Sequence, residues 1–276
     1  MHTAILLATY NGERYLREQI DSLLTQTCQE WELYVHDDGS KDDTVKILKE
    51  YEREYDNIHV FDEPSTGNAK NNFFLLLDAV EADYYFFCDQ DDVWFSDKIE
   101  KELATLREQE KKTPDAPVVV YTDLKVADEQ IRVIHDSMWR FSAIHPEFLT
   151  TFDTYAYAVA TGCTMCFNRK AREVSRKGRE TAIMHDCWVL LATVAHGGIA
   201  IPLHEATLFY RQHTGNCVGA LEAKCPTWKK RIAEFGKGWK DQYNYYQMLR
   251  VLNYGSFLKY MKNYARYRRM AKRLMR

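Results

Sequence analysis

The sequence predicts an α/β fold in which a mostly parallel central sheet is flanked by helices and followed by a basic helical extension. Apolar runs that suit buried strands alternate four times with segments of helical periodicity, which is typical of βαβ units. Charge is divided unevenly along the 276 residues: residues 222–276 hold 15 Lys and Arg against 3 Asp and Glu, whereas residues 1–221 hold 22 against 37. We therefore place a domain boundary near residue 221.

The alternation begins with residues 3–9, a continuous apolar run that is typical of a strand buried on both faces. A turn follows, and the apolar spacing of residues 15–24 then predicts the first helix. Further strands are predicted at residues 31–36, 58–61, 84–88, 118–122, 161–167, 198–201 and 208–210, and further helices at 44–51, 73–80, 97–108, 169 onward and 189–195.

Polar side chains mark the starts of three of these helices. Ser40 with Asp43, and Asp97 with Glu100, have the spacing of capping boxes. Asp186 opens the last predicted helix, where an Asp usually caps the first turn. Its position alone therefore does not require a catalytic role.

Polar clusters also follow three of the predicted strands, at residues 9–11, 37–38 and 89–92. Ligands bind beyond the carboxyl ends of parallel strands, so we expect one cleft to collect all three clusters. Residues 124–161 are weakly patterned and are interpreted as loops and short elements that cover this cleft. Their aromatic residues are Trp139, Phe141, Phe148, Phe152, Tyr155 and Tyr157.

The most acidic cluster places Asp89, Asp91 and Asp92 within four residues at the end of a buried strand. Like charges and desolvation both disfavour three ionised carboxylates at such a position. A divalent cation relieves both effects, and carboxylate oxygens suit Mg²⁺ or Mn²⁺. The sequence thus predicts a metal–diphosphate site, with an acidic loop that caps the following helix as the alternative.

Several classes of site are excluded or disfavoured. Neither GxGxxG nor GxxxxGK[ST] occurs, so a dinucleotide fold or a P-loop is not expected. No apolar stretch approaches the ~20 residues that cross a bilayer. The seven cysteines follow no signal peptide, which favours a reduced, intracellular protein. Cys163 and Cys166 form a lone CxxC on a predicted strand; they should point to opposite faces and act as structural cysteines.

Five short motifs, ATYNG (8–12), DDGS (37–40), DQDD (89–92), HDCW (185–188) and RQHTGN (211–216), occur in this order. Together they resemble glycosyltransferase family 2 over roughly residues 3–219. The resemblance implies a GT-A (nucleotide-diphospho-sugar transferase) fold and an inverting, metal-dependent enzyme that uses a nucleotide-sugar. The CDQDDVW and RQH patterns are most similar to the bacterial rhamnosyltransferase branch that builds cell-wall and surface polysaccharides.

The resemblance also implies roles for individual residues. Asp91 is the expected principal ligand of Mn²⁺ or Mg²⁺, Asp89 faces the metal or the ribose, and His213 reaches the metal or the diphosphate unless it is an ordinary loop residue. Asp186 is the expected catalytic base. Whether Asp92 binds metal stays open. The implied nucleotide-sugar-binding residues are Thr9, Tyr10 and Glu13 along the nucleotide, Asp38 at the base, Asp89, Arg211, and Lys70, which either neutralises a phosphate or stays solvated.

The implied reaction moves a sugar, with dTDP-rhamnose as the preferred donor, to a saccharide or lipid-linked saccharide. A bound metal neutralises the departing nucleoside diphosphate, and a base on the opposite face takes the proton of the attacking hydroxyl. A UDP-hexose donor is the alternative within the class. Two alternatives from other classes are disfavoured. A noncatalytic saccharide- or nucleotide-binding module would need no base such as Asp186. A nucleotidyltransferase would be expected to have a glycine-rich phosphate loop near the first strand, which this sequence does not have.

The C-terminal stretch has the periodicity of a basic amphipathic helix. We expect it to attach the protein to an anionic membrane surface, at the inner face of the bacterial plasma membrane, from the cytoplasmic side. The alternative is a helix that packs its apolar face on the catalytic domain. No nucleic-acid partner is expected, since no reading motif is present. The apolar set is Phe257, Tyr260, Met261, Tyr264, Tyr267, Ala271 and Leu274, and the basic set is Lys259, Lys262, Arg266, Arg269, Arg273 and Arg276. A second basic, aromatic segment covers residues 228–239.

Overall fold

The computed structural model describes residues 1–155, 159–213 and 228–274, with the helical backbone alone for 228–239 and 274. These residues form one nine-stranded sheet with helices on both faces. The strands are β1 (Thr3–Thr9), β2 (Glu32–Asp37), β3 (Ile58–Phe61), β4 (Tyr84–Cys88), β5 (Val93–Trp94), β6 (Val118–Ala127), β7 (Val133–His135), β8 (Met165–Asn168) and β9 (Ile199–Arg211). The α-helices are α1 (Leu16–Leu24), α2 (Thr44–Glu54), α3 (Ala69–Ala79), α4 (Lys98–Lys112), α5 (Met138–Phe141), α6 (Arg169–Ser175), α7 (His185–Ala195), α8 (Trp228–Val251) and α9 (Phe257–Leu274).

The strand order is β3-β2-β1-β4-β8-β6-β9-β5, with β7 beside β6. The first four strands in that order are mutually parallel, as the βαβ alternation predicted. Strand β8 runs antiparallel to both β4 and β6, and β6 pairs in parallel with β9. The register sets Thr9 opposite Asp37 and Leu7 opposite Cys88, so β1, β2 and β4 end at one edge.

Apolar residues on both faces of the sheet explain this layering. Ile5 and Leu33 belong to a buried cluster shared with α1, α2 and α4, whereas Leu6 and Phe87 belong to a second cluster shared with α3, α6 and α7. Residues from α8 and α9 complete the second cluster. Continuous burial of β1 and β4 follows from covering both faces, which is the reason that their sequences do not alternate.

Some elements differ from their predicted bounds. The strands predicted at 198–201 and 208–210 are one strand, β9, because β6 continues to Ala127 and pairs with it throughout, with irregular register near Asp123. Helix α3 begins earlier than predicted because the Asn68 side chain accepts from the Asn71 N–H at 3.0 Å. The strand predicted at 161–167 starts only at Met165, after a 3₁₀ turn at Gly162–Thr164.

Both predicted capping boxes are wrong, because their side chains bind other partners. Ser40 Oγ donates to Asp37 at 2.6 Å and accepts from the Asn11 N–H. Glu100 accepts from Thr27 Oγ1 at 2.6 Å, and no side-chain cap forms at the start of α4. Asp186 likewise lies within the first turn of α7 and is not its N-cap, which is Met184.

The predicted amphipathic helix is confirmed as α9. Its Tyr260, Tyr267 and Ala271 are buried against the second cluster, so the predicted alternative, packing of the apolar face on the rest of the protein, is what the structure shows. None of the helices in the described ranges combines the length and apolar character that a bilayer crossing requires. The boundary near residue 221, together with Tyr157, Thr214, Gly215, Asn216 and Arg276, lies outside the described residues.

Candidate active site

The ends of β1 and β2 are tied together by side chains at the sheet edge. Thr9 Oγ1 donates to Asp37 Oδ1 at 2.9 Å, and Asp37 Oδ2 accepts from the Gly39 and Ser40 N–H groups. Glu13, in the loop after β1, accepts from the Asp43 N–H at 2.8 Å. Thr9 and Glu13 therefore join the loops that follow β1 and β2.

Asp38 lies beside this edge and is buried. Its Oδ1 accepts from Ser65 Oγ at 3.0 Å, Thr66 Oγ1 at 3.1 Å and the Gly67 N–H at 3.0 Å. Burial alone would raise the pKa of Asp38, but these hydrogen bonds outweigh it, and the net effect lowers the pKa. A buried, ionised carboxylate is thereby held ready to accept hydrogen bonds.

The loop after β1 is joined to the acidic motif by Gln90. Its side-chain amide donates to the Tyr10 carbonyl at 3.0 Å and accepts from the Tyr10 N–H at 2.9 Å. Gly12 leaves room for this pair, since a Cβ there would lie 2.3 Å from Gln90 Oε1. The Tyr10 side chain is 55% exposed. Gln90 and Gly12 were not predicted to have individual roles.

Asp89, Asp92 and Cys163 form a compact group behind that loop, with one potential ligand atom of each within 4.8 Å of the others. Asp92 is fully buried, and its Oδ2 has no hydrogen-bond partner among the described residues. Burial, followed by the charges of Asp91 and Asp186, raises the pKa of Asp89 to about 7. The pKa of Asp92 is also raised, first by burial and then by its acidic neighbours. This group therefore gathers buried carboxyl groups whose ionisation is disfavoured.

Asp91 lies on the other side of the motif and pairs with His213. The distance from Asp91 Oδ2 to His213 Nε2 is 2.6 Å. The imidazole packs on the Tyr15 ring, with 4.8 Å between centroids. Tyr15 therefore fixes the orientation of His213 toward Asp91, although the sequence pattern assigned it only to a helix start.

Arg211 is buried beneath the acidic motif. Its Nε donates to the Asp91 carbonyl at 2.7 Å, its Nη1 to the Glu129 carbonyl and its Nη2 to Glu18. Its backbone N–H donates to Asp92 Oδ1 at 3.2 Å. These contacts make Arg211 a positioning residue for Asp91 and Asp92.

Asp186 approaches the acidic group from α7. Its Oδ2 accepts from the Gly162 N–H at 3.0 Å and its Oδ1 from the Cys187 N–H at 2.6 Å. Burial raises the pKa of Asp186 and outweighs these hydrogen bonds, which act to lower it. The charge of Asp186 in turn raises the pKa of Asp89. A carboxylate of elevated basicity thus faces the acidic motif from a different element.

His185, beside Asp186, is 2% exposed. Its ring stacks on Phe73 at 3.9 Å between centroids and meets the edge of Phe87 at 4.6 Å. Neither ring nitrogen has a hydrogen-bond partner within the described residues. Burial lowers the pKa of His185 to about 3, so the ring is neutral at physiological pH.

Lys70 is placed away from the acidic group. Its Nζ donates to the Ala182 carbonyl at 2.9 Å and so joins the start of α3 to the segment that precedes Asp186. It also lines an open cavity of about 740 Å³ along α3, together with Arg179 and Glu180. None of residues 89–92 lines that cavity.

The residues present fit a divalent cation. Asp92 Oδ2 is an orphaned buried acceptor, and the carboxylates of Asp89 and Asp91 are hard ligands that suit Mg²⁺ and Mn²⁺. Cys163 and Cys166 are free, and both join the same apolar cluster, so the expectation that they point to opposite faces is wrong. The reason is that Cys163 lies in the 3₁₀ turn and not on the strand.

Comparison with known proteins identifies a family. The model described as glycosyl transferase family 2 matches residues 4–175, more than half of the chain. The dTDP-rhamnosyl transferase RfbG of Shigella flexneri is 27% identical over 228 residues, which cover 78% of this chain and 74% of RfbG. The uncharacterized glycosyltransferase RT0329 of Rickettsia typhi is 32% identical over 129 residues, 46% of this chain and 37% of that protein.

Two solved structures have a similar fold. The S. aureus TarS 1-349 complex with UDP superposes with a TM-score of 0.57 at 19% identity, covering 77% of this chain and 61% of TarS. The mannosyltransferase PcManGT of Pyrobaculum calidifontis, in complex with GDP-Man and Mn²⁺, gives a TM-score of 0.57 at 15% identity, covering 99% and 78%. At this identity the likeness concerns the fold alone, and the predicted GT-A fold is confirmed.

Proposed function

The chain belongs to glycosyl transferase family 2, and on that premise we propose that it is an inverting transferase in which Asp186 is the catalytic base. The observation that carries this proposal is the position of Asp186. Its carboxylate accepts from the N–H groups of Gly162 and Cys187, and the residue after Gly162, Cys163, belongs to the compact group with Asp89 and Asp92. Two carboxylate groups on different elements suit a displacement that needs a base on one face and an anion-neutralising site on the other.

In the proposed reaction the acceptor hydroxyl attacks the anomeric carbon while the bond from that carbon to the diphosphate breaks. The hydroxyl proton passes to the carboxylate of Asp186, and the nucleoside diphosphate leaves with the bonding electron pair. One displacement of this kind inverts the anomeric centre. The raised pKa of Asp186 makes its carboxylate a stronger base than that of an ordinary aspartate.

We propose that Mn²⁺ or Mg²⁺ is held by Asp91, Asp89 and His213. Arg211 and Tyr15 position Asp91 and His213 for this role. A bound divalent cation would supply charge neutralisation for the diphosphate. Asp38, ionised and buried, is proposed to accept hydrogen bonds from the nucleotide base, and Thr9, Tyr10 and Glu13 to shape the nucleotide side. We propose that Lys70 helps to position Asp186, because its Nζ donates to the Ala182 carbonyl in the segment that precedes Asp186.

The donor that we propose is dTDP-rhamnose, and the acceptor a saccharide or lipid-linked saccharide of a cell-surface polysaccharide. RfbG, which is named a dTDP-rhamnosyl transferase and is similar over most of both chains, supports this donor. A UDP-hexose is the second candidate, favoured by the similar fold of the TarS complex with UDP. Either donor is compatible with an ionised Asp38 at the base.

A donor screen tests this proposal. Purified protein is incubated with dTDP-rhamnose, UDP-glucose or UDP-N-acetylglucosamine, a panel of octyl glycosides and Mn²⁺ or Mg²⁺, and nucleoside diphosphate release is followed. We expect release with dTDP-rhamnose that stops on addition of EDTA and returns with excess Mn²⁺. Release with a UDP-sugar alone would replace the donor, and no release with any donor would contradict the transferase proposal.

We also propose that α9 attaches the protein to an anionic membrane surface through its outer face. Six cationic side chains there are exposed and form no ion pair within the described residues: Lys262, Arg266, Arg268, Arg269, Lys272 and Arg273. Each cation near an anionic surface contributes about 1 kcal/mol. The apolar face is occupied by packing, so attachment would be electrostatic rather than by insertion.

Liposome sedimentation tests this attachment. A triple variant, Arg266→Gln, Arg268→Gln and Arg269→Gln, should lose most binding to phosphatidylglycerol vesicles, and wild-type binding should fall with added salt. A matched triple, Lys46→Gln, Lys111→Gln and Lys112→Gln, changes the net charge equally on other exposed surfaces and should bind like the wild type. Equal binding by both triple variants would contradict attachment through α9.

A further inference from the structure

Residues 62–68, which we call the Asp38 loop, connect β3 to α3 and surround Asp38 with hydrogen-bond donors. Ser65 Oγ donates to the Asp38 carbonyl at 2.8 Å and to Asp38 Oδ1 at 3.0 Å. Thr66 Oγ1 and the Gly67 N–H donate to the same carboxylate oxygen at 3.1 Å and 3.0 Å. Because these donors all come from one loop, the position of the loop determines how the Asp38 carboxylate is held.

His36, on β2, fastens the Asp38 loop to α3. The residue is fully buried. Its Nε2 lies 3.0 Å from the Glu63 carbonyl in the loop, and its Nδ1 lies 2.7 Å from Asn72 Oδ1 on α3. Asn72 Nδ2 also donates to the His36 carbonyl at 3.2 Å. One imidazole therefore connects the strand that carries Asp38, the Asp38 loop and the helix that follows the loop.

Both ring nitrogens of His36 face oxygen atoms that can only accept hydrogen bonds. A neutral imidazole has one N–H and one bare lone pair, so it can satisfy only one of these two oxygens. Turning the Asn72 amide round would present its NH₂ group to Nδ1, but it would set the amide oxygen against the His36 carbonyl. An imidazolium, which has two N–H groups, satisfies every partner. The hydrogen-bond geometry therefore favours the protonated ring.

Neutral acceptors, and not a salt bridge, hold this ring. The ion pairs of histidine within the described residues are those of His2, His59, His145 and His213. The residues opposite His36 on β1 and β3 are Ala8 and Phe61, which do not titrate. The titratable residues nearby in the chain or on α3 are directed elsewhere or exposed: Asp37 binds Thr9, Asp38 binds its loop, Lys70 binds the Ala182 carbonyl, and Asp62 and Glu63 are exposed.

We propose that His36 is a positioning residue for the nucleotide-sugar, and that it acts as an imidazolium that fastens the Asp38 loop to α3. This inference rests on the proposed function, in which Asp38 binds the nucleotide base. Loss of the ring proton sets a bare lone pair against one of the two oxygens, so the loop is released and its donors no longer fix Asp38. The protonated ring therefore favours the binding-competent loop, and the contribution of His36 to nucleotide-sugar affinity should be lost as pH rises.

Asp38 itself is not the source of this pH dependence. Burial acts to raise the pKa of Asp38, but the hydrogen bonds from its loop outweigh burial and lower the pKa below the ordinary value for an aspartate. The carboxylate is therefore ionised over the whole range from pH 6 to pH 8.5. A change in affinity over that range that depends on His36 reports the imidazole.

Binding of dTDP-rhamnose and of UDP-glucose at pH 6 and pH 8.5 tests this role. The variants are His36→Gln and the control His59→Gln, which replaces a partly exposed histidine of β3. We expect the dissociation constant of His36→Gln to exceed that of the wild type by roughly tenfold at pH 6, about the value of a charge-assisted hydrogen bond, and to approach it at pH 8.5. His59→Gln should match the wild type at both pH values. A ratio of His36→Gln to wild type that is the same at both pH values would overturn the inference.

Nitrogen NMR of the wild-type protein tests the protonation of His36 without a ligand or a variant. At pH 6 both ring nitrogens of His36 should have the shifts of protonated nitrogens, whereas His185 should show one bare nitrogen. A bare ring nitrogen in His36 at pH 6 would overturn the inference even if His36→Gln failed to fold. Failure of the wild type to bind either nucleotide-sugar would contradict the proposed function, whereas binding with an unchanged ratio would contradict the role of His36 alone.

Discussion

At the scale of single residues, His185 shows how Asp186 is held in place. The imidazole is confined between Phe73 and Phe87 and lies so close to Gly162 that a Cβ there would be 2.9 Å from its Nε2. Gly162 in turn donates to Asp186. Packing of a neutral ring, and not an imidazolium–carboxylate pair, therefore orients Asp186, the proposed base.

His185 should consequently stay neutral over the working pH range. Its pKa is lowered to about 3 by burial, far below the roughly 6.5 of an exposed histidine. In ¹⁵N NMR spectra the two ring nitrogens should keep the shifts of a neutral imidazole down to pH 5, with His185→Gln used to assign the signals. Titration with a midpoint near 6.5 would show that the ring is solvated and that this account of the base is incorrect.

At the scale of elements, the strand ends were predictable and the cross-connections between them were not. Runs rich in apolar residues located β1, β2 and β4, and parallel register then required residues 9, 37 and 88 to share an edge. No sequence period, in contrast, indicates that Ser40 binds Asp37 and Asn11 rather than capping α2. Local motifs specify which donors are present, whereas tertiary packing decides which acceptor each one meets.

Strand β9 illustrates the same limit. Its two predicted halves are separated by a polar stretch, and only pairing with β6 makes them one strand. Because β9 is continuous, Arg211 lies under the acidic motif. From the sequence alone, a basic residue at the end of a strand could equally have been expected to face a diphosphate. A cluster of backbone carbonyls that needs a buried donor has no signature in the sequence.

Arg211→Met should destabilise the protein strongly for this reason. It leaves the carbonyls of Asp91 and Glu129 without their donors, and each unsatisfied buried group costs about 1–3 kcal/mol. We expect a loss of roughly 2–5 kcal/mol in urea unfolding and weaker Mn²⁺ binding. Arg53→Met is the control, since Arg53 is exposed in the last turn of α2. Equal effects of both variants would show that Arg211 does not position the motif.

At the scale of the whole molecule, the composition predicted that charge is divided unevenly along the chain. It predicted only part of what the basic extension does in the structure. The basic extension was predicted as an amphipathic helix, and α9 is one. Which surface its apolar face meets depends on Tyr267, and on Tyr254 just before the helix, finding partners in residues 145–155. Those partners lie in the weakly patterned region, where periodicity carries little information.

The concentration of buried carboxylates should make the metal-free protein less stable as pH rises. The pKa values of Asp89 and Glu102 are raised to about 7, mainly by burial, and that of Asp92 is raised as well. Between their unfolded values near 4 and these folded values, the native state binds more protons than the unfolded state, so the free energy of unfolding falls with rising pH. The melting temperature should drop by roughly 5 °C or more from pH 5.5 to pH 8.

Two comparisons test whether the buried carboxyl groups cause this drop in melting temperature. Asp92→Asn should reduce it, because one of the raised carboxyl groups is removed, and Mn²⁺ at pH 8 should restore stability by binding the ionised form. Asp136→Asn, at an exposed position, should leave the drop unchanged. A melting temperature that rises over this pH range would contradict the raised pKa values.

Replacement of Asp186 by Asn decides whether this carboxylate is the catalytic base. With the donor selected by the screen, sugar transfer to an octyl glycoside and the dissociation constant for the nucleoside diphosphate are measured in Asp186→Asn and in the exposed control Asp136→Asn. The expected result is a 10²–10⁴-fold fall in turnover for Asp186→Asn at unchanged nucleotide affinity, about the contribution of a positioned general base. Transfer within a few-fold of the wild type, or loss of nucleotide binding with turnover preserved, would contradict it.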